Sequence, residues 1–117
     1  MIKINVKEVI GNTIAMSTED GKKLFEILFE NIRNSNKIEL SFDGIDILIS
    51  HFLNEGIGKL YEKFDNWEIL DKVIEYKEID EDDLELLREK VIPTAKNHFK
   101  DIKKIETINK SILDNEY

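Results

Sequence analysis

The chain opens on an alternation. Ile2, Ile4 and Val6 fall on one side of the pattern and Lys3, Asn5 and Lys7 on the other, the period of a half-buried strand. Gly11-Asn12 is a turn signal, and residues 13–16 are short and β-compatible, so the two runs read as an opening hairpin. Ser17 followed three residues later by Asp20 resembles a capping box with Asp in place of Glu, and it starts a helix. Leu24, Phe25, Leu28, Phe29 and Ile32 give that helix its apolar face, and Asn34-Ser35-Asn36 ends it. A strand follows over 37–42, with Ile38, Leu40 and Phe42 in alternation. It turns at Asp43-Gly44, and the apolar run Ile45, Ile47, Leu48, Ile49 leads through Ser50-His51 into a second helix. Asp65-Asn66 breaks that helix, residues 67–72 read as a further helical turn, and 73–79 as a strand with Ile74 and Tyr76 on one face. Asp80 then caps the last helix, whose acidic start Glu81-Asp82-Asp83 sits on the positive end of the helix dipole. The order β(β)αβαβα predicts an α/β fold, a small mixed β-sheet packed with helices and closed by a long C-terminal helix.

That last helix has two readings. Leu84, Leu87, Val91, Ala95, Phe99, Ile102, Ile105, Ile108 and Ile112 continue one apolar stripe almost to the end of the chain, with Pro93 inside it as an expected kink. Either the stripe divides into a helix packed on the sheet up to about Phe99 and a tail, or Ile102, Ile105, Ile108 and Ile112 dock on a second subunit or another protein. The corresponding division is a domain over 1–101 and a C-terminal helical extension or tail over 102–117.

The window 37–64, KIELSFDGIDILISHFLNEGIGKLYEKF, is the most informative stretch. Its order of strand, D-G-I, apolar run, then Ser50-His51-Phe52-Leu53-Asn54-Glu55 and helix resembles the STAS-like domain family of unknown function. That family is related to the STAS domains of bacterial anti-sigma-factor antagonists. The resemblance implies a STAS-like α/β fold and action by binding a protein partner, for instance a histidine-kinase-like ATPase. In the antagonists an Asp-Ser-Ser-Gly motif precedes this helix, and its second serine accepts a phosphoryl group. Carried onto this chain, the motif's Asp falls at Ile49, its first Ser at Ser50, the acceptor at His51 and its Gly at Phe52. Only the first serine is kept, which argues against a serine phosphoswitch.

The candidate partner-binding residues are therefore Ser50, His51, Phe52, Asn54, Glu55 and Lys59. Each also has a plain structural reading. Ser50 reads as the N-cap of the second helix, Phe52 as the core anchor of its first turn, and Glu55 as a carboxylate on the helix dipole. Gly56 and Gly58 lie inside the helix at up to about 1 kcal/mol each relative to alanine, which calls for close approach of another backbone, from the sheet or from a partner. Gly56-Ile57-Gly58-Lys59 lacks the spacing of a phosphate loop and follows a helical start instead of a strand. Tyr61, Phe64 and Trp67 form an aromatic cluster that reads as core.

Composition narrows the function further. At 117 residues, the chain fits one core, and 41% hydrophobic residues suffice to build it. The net charge of −8 disfavours nucleic acid and anionic membrane surfaces as partners. With no cysteine and two histidines far apart, thiol chemistry and Cys-based zinc sites drop out, and neither a metal nor a cofactor is expected. The acidic segment 78–85 lacks the glycine of a calcium loop. No signal peptide or membrane span is legible, which points to the cytoplasm. The reading that follows is a non-enzymatic regulatory or interaction module. It would bind a protein partner through the loop and helix at 49–61, as part of a bacterial signalling or defence switch. The alternative is a sensor of a small anion or nucleotide, or a weak hydrolase, using the Ser50-His51 helix start.

The isoleucine stripe yields a test. Burying Ile102, Ile105, Ile108 and Ile112 is worth about 1.5–3 kcal/mol each, opposed by repulsion between two acidic chains, so a modest homodimer is expected. Truncation after Phe99 should lower the mass seen by light scattering from dimer to monomer while the circular dichroism spectrum stays that of a folded domain. A full-length chain that is monomeric at high micromolar concentration would exclude the dimer.

Overall fold

The computed structural model describes residues 1–100. The isoleucines Ile102, Ile105, Ile108 and Ile112, the segment 102–117 and the dimer expected of them lie outside the described residues. Three parallel strands form the main sheet: β1 (Ile2–Asn5), β3 (Ile38–Ser41) and β5 (Ile74–Lys77), in the order β1-β3-β5. Ile2, Ile38 and Ile74 stand in register, as do Ile4, Leu40 and Tyr76. A second, two-stranded sheet pairs β2 (Ile14–Ala15) with β4 (Ile47–Leu48), again in parallel.

The α/β class and the helix positions agree with the sequence reading, but the mixed sheet and the opening hairpin do not. Asn5 ends β1 because its side chain accepts a hydrogen bond from the Glu8 N–H and caps a short helix, α1 (Val6–Ile10). Val6 and Ile10 then share the buried face of one helical turn, and Gly11 closes it in the left-handed region at φ 67. The chain thus leaves β1 through a helical turn instead of a hairpin, and β2 pairs with the strand that follows the Asp43-Gly44 turn. Gly44 sits there at φ 85, as an Asp-Gly turn requires.

Helix α2 (Thr18–Arg33) is capped by Ser17, whose hydroxyl accepts from the Asp20 N–H at 3.0 Å. Helix α3 covers 50–63 and contains a π-turn at Asn54–Gly58. Helix α4 (Trp67–Val73) leads into β5, and helix α5 runs from Glu81 through 100. In α5 the residues Leu87–Val91 form a second π-turn, directly ahead of Pro93. Proline offers no N–H to the carbonyl four residues back, and the loosened turn takes up that missing bond within one continuous helix. The helix therefore passes through Pro93 without ending there.

The helices cover one face of the main sheet. Ile4, Ile38, Leu40 and Ile74 are buried against them, while Lys3, Asn5, Glu39, Ser41, Glu75 and Lys77 alternate onto the other, polar face. Helix α3 lies between α2 and α5, which its sequence makes possible. Gly56, Ile57 and Gly58 are consecutive and all buried, more of the helix circumference than a regular turn presents to one neighbour. A β-carbon on Gly56 would stand 2.9 Å from Leu24 Cδ2 and 3.4 Å from the Gly21 carbonyl, and one on Gly21 would stand 2.6 Å from Glu55 Cβ. On the far side, a β-carbon on Gly58 would meet Ala95 Cβ at 3.6 Å, an ordinary contact. The close approach inferred from the glycines is therefore to the chain's own helix α2, not to the sheet or a partner. Among the described residues no helix is long and apolar enough to cross a membrane.

The two glycines should respond oppositely to substitution. Gly21→Ala forces α2 and α3 apart and should lower stability by about 1–3 kcal/mol, as overpacking does. Gly58→Ala should be neutral or raise it by up to about 1 kcal/mol through helix propensity. Urea unfolding midpoints would compare the variants, and equal losses at both positions would refute the close crossing of α2 and α3.

Candidate functional site

The start of α3 is built by its neighbours more than by its own residues. Ile49 is the N-cap, with φ −111 and ψ 144, and no side chain caps the helix. Ser50 is the first helical residue and is exposed, so the N-cap role read for it from the sequence belongs to its neighbour. The reason lies in β4. The Ile49 N–H donates to the Ala15 carbonyl at 3.0 Å, which makes residue 49 the last extended residue and sets the helix boundary one position earlier than the serine pattern suggests.

His51 turns toward α2. Its Nε2 lies 2.6 Å from the Thr18 hydroxyl, the donor being set by the ring tautomer. This contact ties the first turns of α2 and α3 together at the surface. Of the other candidates, Asn54 and Lys59 are exposed, Glu55 is half-buried and Phe52 is fully buried in the core. Phe52 is thereby removed from any surface a partner could read, as its structural reading required. Glu55 and Lys59 line a groove of about 300 Å³ between α2 and α3, facing Lys22 and Glu26 across the half-buried Phe25. The six candidates therefore divide into a surface pair at the helix start, two groove residues, an isolated Asn54 and a core anchor.

The sequence reading missed the apolar neighbours of Ser50-His51. Ile14 pairs with Ile47 and Ala15 with Leu48, so side-chain alternation puts Ile47 and Ile49 on the face opposite the half-buried Leu48. Met16, Ile47 and Ile49 are 50%, 47% and 36% exposed, a group of large apolar side chains at the surface beside Thr18 and His51. Only the parallel pairing of β2 with β4, which nothing in the local pattern announces, brings Met16 to this place. Of the aromatic cluster, Tyr61 and Trp67 meet as expected: Tyr61 is buried, its ring edge-on to Trp67 at 5.9 Å, and the Trp67 indole N–H donates to the Tyr61 carbonyl at 3.0 Å, while the Phe64 ring lies 5.5 Å from Phe29 on α2.

The two serines before helices separate capping from mere position. Ser17→Ala removes a cap bond and should lower stability by about 1 kcal/mol. Ser50→Ala removes no such bond and should stay within about 0.5 kcal/mol of the parent. Chemical denaturation would distinguish them, and a loss at Ser50 as large as that at Ser17 would contradict the uncapped start of α3.

None of the curated proteins and none of the solved structures matches the chain. The family model of the STAS-like domain of unknown function (DUF4325) matches residues 20–84, more than half of the chain, from the first turn of α2 to the first turn of α5. With its βαβ units and the α3 start described above, the chain belongs to the family of STAS-like domains of unknown function.

Proposed function

We propose that the domain is a non-enzymatic interaction module that binds a protein partner through the start of α3 and the β2–β4 sheet beside it. The observation that carries this reading is the exposure of Met16, Ile47 and Ile49 next to the Thr18–His51 contact. Large apolar side chains grouped at the surface of a chain that is 36% charged are the usual mark of a buried contact with another macromolecule. Ser50, His51 and Asn54 would supply the polar rim, with Glu55 and Lys59 in the adjoining groove. On this reading the partner is a regulatory protein, of which a histidine-kinase-like ATPase is the kind suggested by the relation to STAS domains. The domain would act by occupying it in a cytoplasmic signalling or defence switch.

The runner-up is the small-anion sensor. It draws support from the uncapped start of α3, whose first N–H groups have no side-chain acceptor.

A photo-reactive residue placed at Ile47 should crosslink to one discrete partner in the native host, and the same residue at Ile69, a 62% exposed isoleucine on α4, should not. Ile49→Asp should abolish that adduct while leaving the domain as stable as before or more so, since Asp is a good N-cap and Ile a poor one. No adduct, or the same adducts from both positions, would overturn the reading.

A further inference from the structure

Away from the α3 start, β5 lies at the edge of the main sheet with α4 and α5 beside it, and a cavity of about 240 Å³ opens between them. Ile74 and Ile92 form its apolar walls, and Tyr61, Asp71, Tyr76, Arg88 and Lys96 supply its polar groups. Part of this set is already satisfied. The Tyr61 hydroxyl donates to Asp71 Oδ1 at 2.6 Å, and the Lys96 ammonium contacts Asp71 Oδ2 at 2.6 Å while lying 5.5 Å from the centre of the Tyr61 ring.

Two groups are left over. Arg88 has no carboxylate within ion-pair distance among the described residues. The Tyr76 hydroxyl has no hydrogen-bond partner there either, and since no buried side-chain polar atom goes unsatisfied, that hydroxyl is open to the cavity. Burial pushes the Tyr76 hydroxyl well above its ordinary pKa, with the Arg88 charge opposing and the Asp71 charge adding. Burial, then the Asp71 hydrogen bond and charge, raises Tyr61 likewise. Both phenols are therefore neutral donors at physiological pH. The cavity also carries one positive charge beyond what Asp71 offsets, on a chain of net charge −8.

A free guanidinium fork beside a free hydroxyl donor suits a planar or tetrahedral oxyanion. The volume of this cavity is below the roughly 300–1,000 Å³ of ordinary small-molecule sites, which favours a compact ligand. We propose that this cavity binds a compact oxyanion, a carboxylate or phosphate head held by Arg88 and Tyr76 with Lys96 at the rim, and that a short apolar portion lies between Ile74 and Ile92. The proposal is independent of partner binding at the α3 start and shares no residue with it.

Isotope-labelled full-length protein can be titrated with inorganic phosphate and, separately, with butyrate, at ionic strength held constant with chloride. Saturable resonance shifts at Tyr76 and Arg88 are expected with at least one of them, and whichever saturates identifies the head group. Tyr76→Phe and Arg88→Gln should each weaken that binding by about tenfold, the order of one hydrogen bond to a charged group, while leaving the unfolding midpoint unchanged. Lys23→Gln, which removes an exposed cation on α2, should bind as the parent does. Shifts that never saturate, that persist in both cavity variants, or that centre on Ser50 and His51 instead would overturn the proposal.

Discussion

The close crossing of α2 on α3 is the constraint on which the remainder of the molecule depends. With a glycine on each helix at the contact, the Gly21 carbonyl and the Leu24 side chain come within reach of the Gly56 backbone. Any β-carbon at residue 21 would meet Glu55 Cβ at a distance no packed pair tolerates. The contact also takes in the Phe52 carbonyl, 3.3 Å from where a β-carbon on Gly21 would stand, so the first turns of the two helices are neighbours and Thr18 can reach His51. The same proximity sets the segments that enter the two helices side by side, which is the geometry in which β2 and β4 pair in parallel. The exposed group of Met16, Ile47 and Ile49 is thus a consequence of helix packing, not of strand propensity alone.

Much of this was legible in the residues. The Ser17 cap, the apolar face of α2, the Asp43-Gly44 turn, the core role of Phe52 and the helical turn ahead of β5 all rest on interactions within a few positions along the chain, and those are what a linear pattern encodes. The failures were of two kinds. Strands with one polar face, such as Ile2/Lys3/Ile4 and Ile74/Glu75/Tyr76, look antiparallel because parallel sheets are usually covered on both sides. Here the sheet is parallel yet covered on one side only, so the pattern pointed to a hairpin and a mixed sheet. The second kind concerns caps. Ser50 has the right chemistry for an N-cap, but the backbone bond from Ile49 to Ala15, 34 positions away, fixes the boundary one residue earlier. Likewise nothing local to Tyr61, Asp71, Tyr76, Arg88 and Lys96 announces that α3, α4, β5 and α5 gather them around one cavity.

Charge divides the surface in a way composition alone conceals. A net charge of −8 describes the whole chain, and on average it repels anions. Yet within the cavity beside β5 two cations face a single carboxylate, and screening confines the influence of the distant acidic residues at physiological salt to roughly 8 Å. Local geometry can therefore favour an anion on a protein whose average field repels one. At the α3 start the arrangement is the reverse, with apolar side chains outermost, where desolvation and not charge would drive association.

Helix α3 connects these two regions, since its first turn carries His51 and its last carries Tyr61, which bonds Asp71. Between them stands the π-turn at Asn54–Gly58, wedged against Leu24 on one side and Ala95 on the other. The Gly56 side of that turn is packed tightly on α2, whereas its Gly58 side makes only ordinary contact with Ala95. A side chain at residue 21 would therefore press on the first half of α3, the part that places His51 against Thr18.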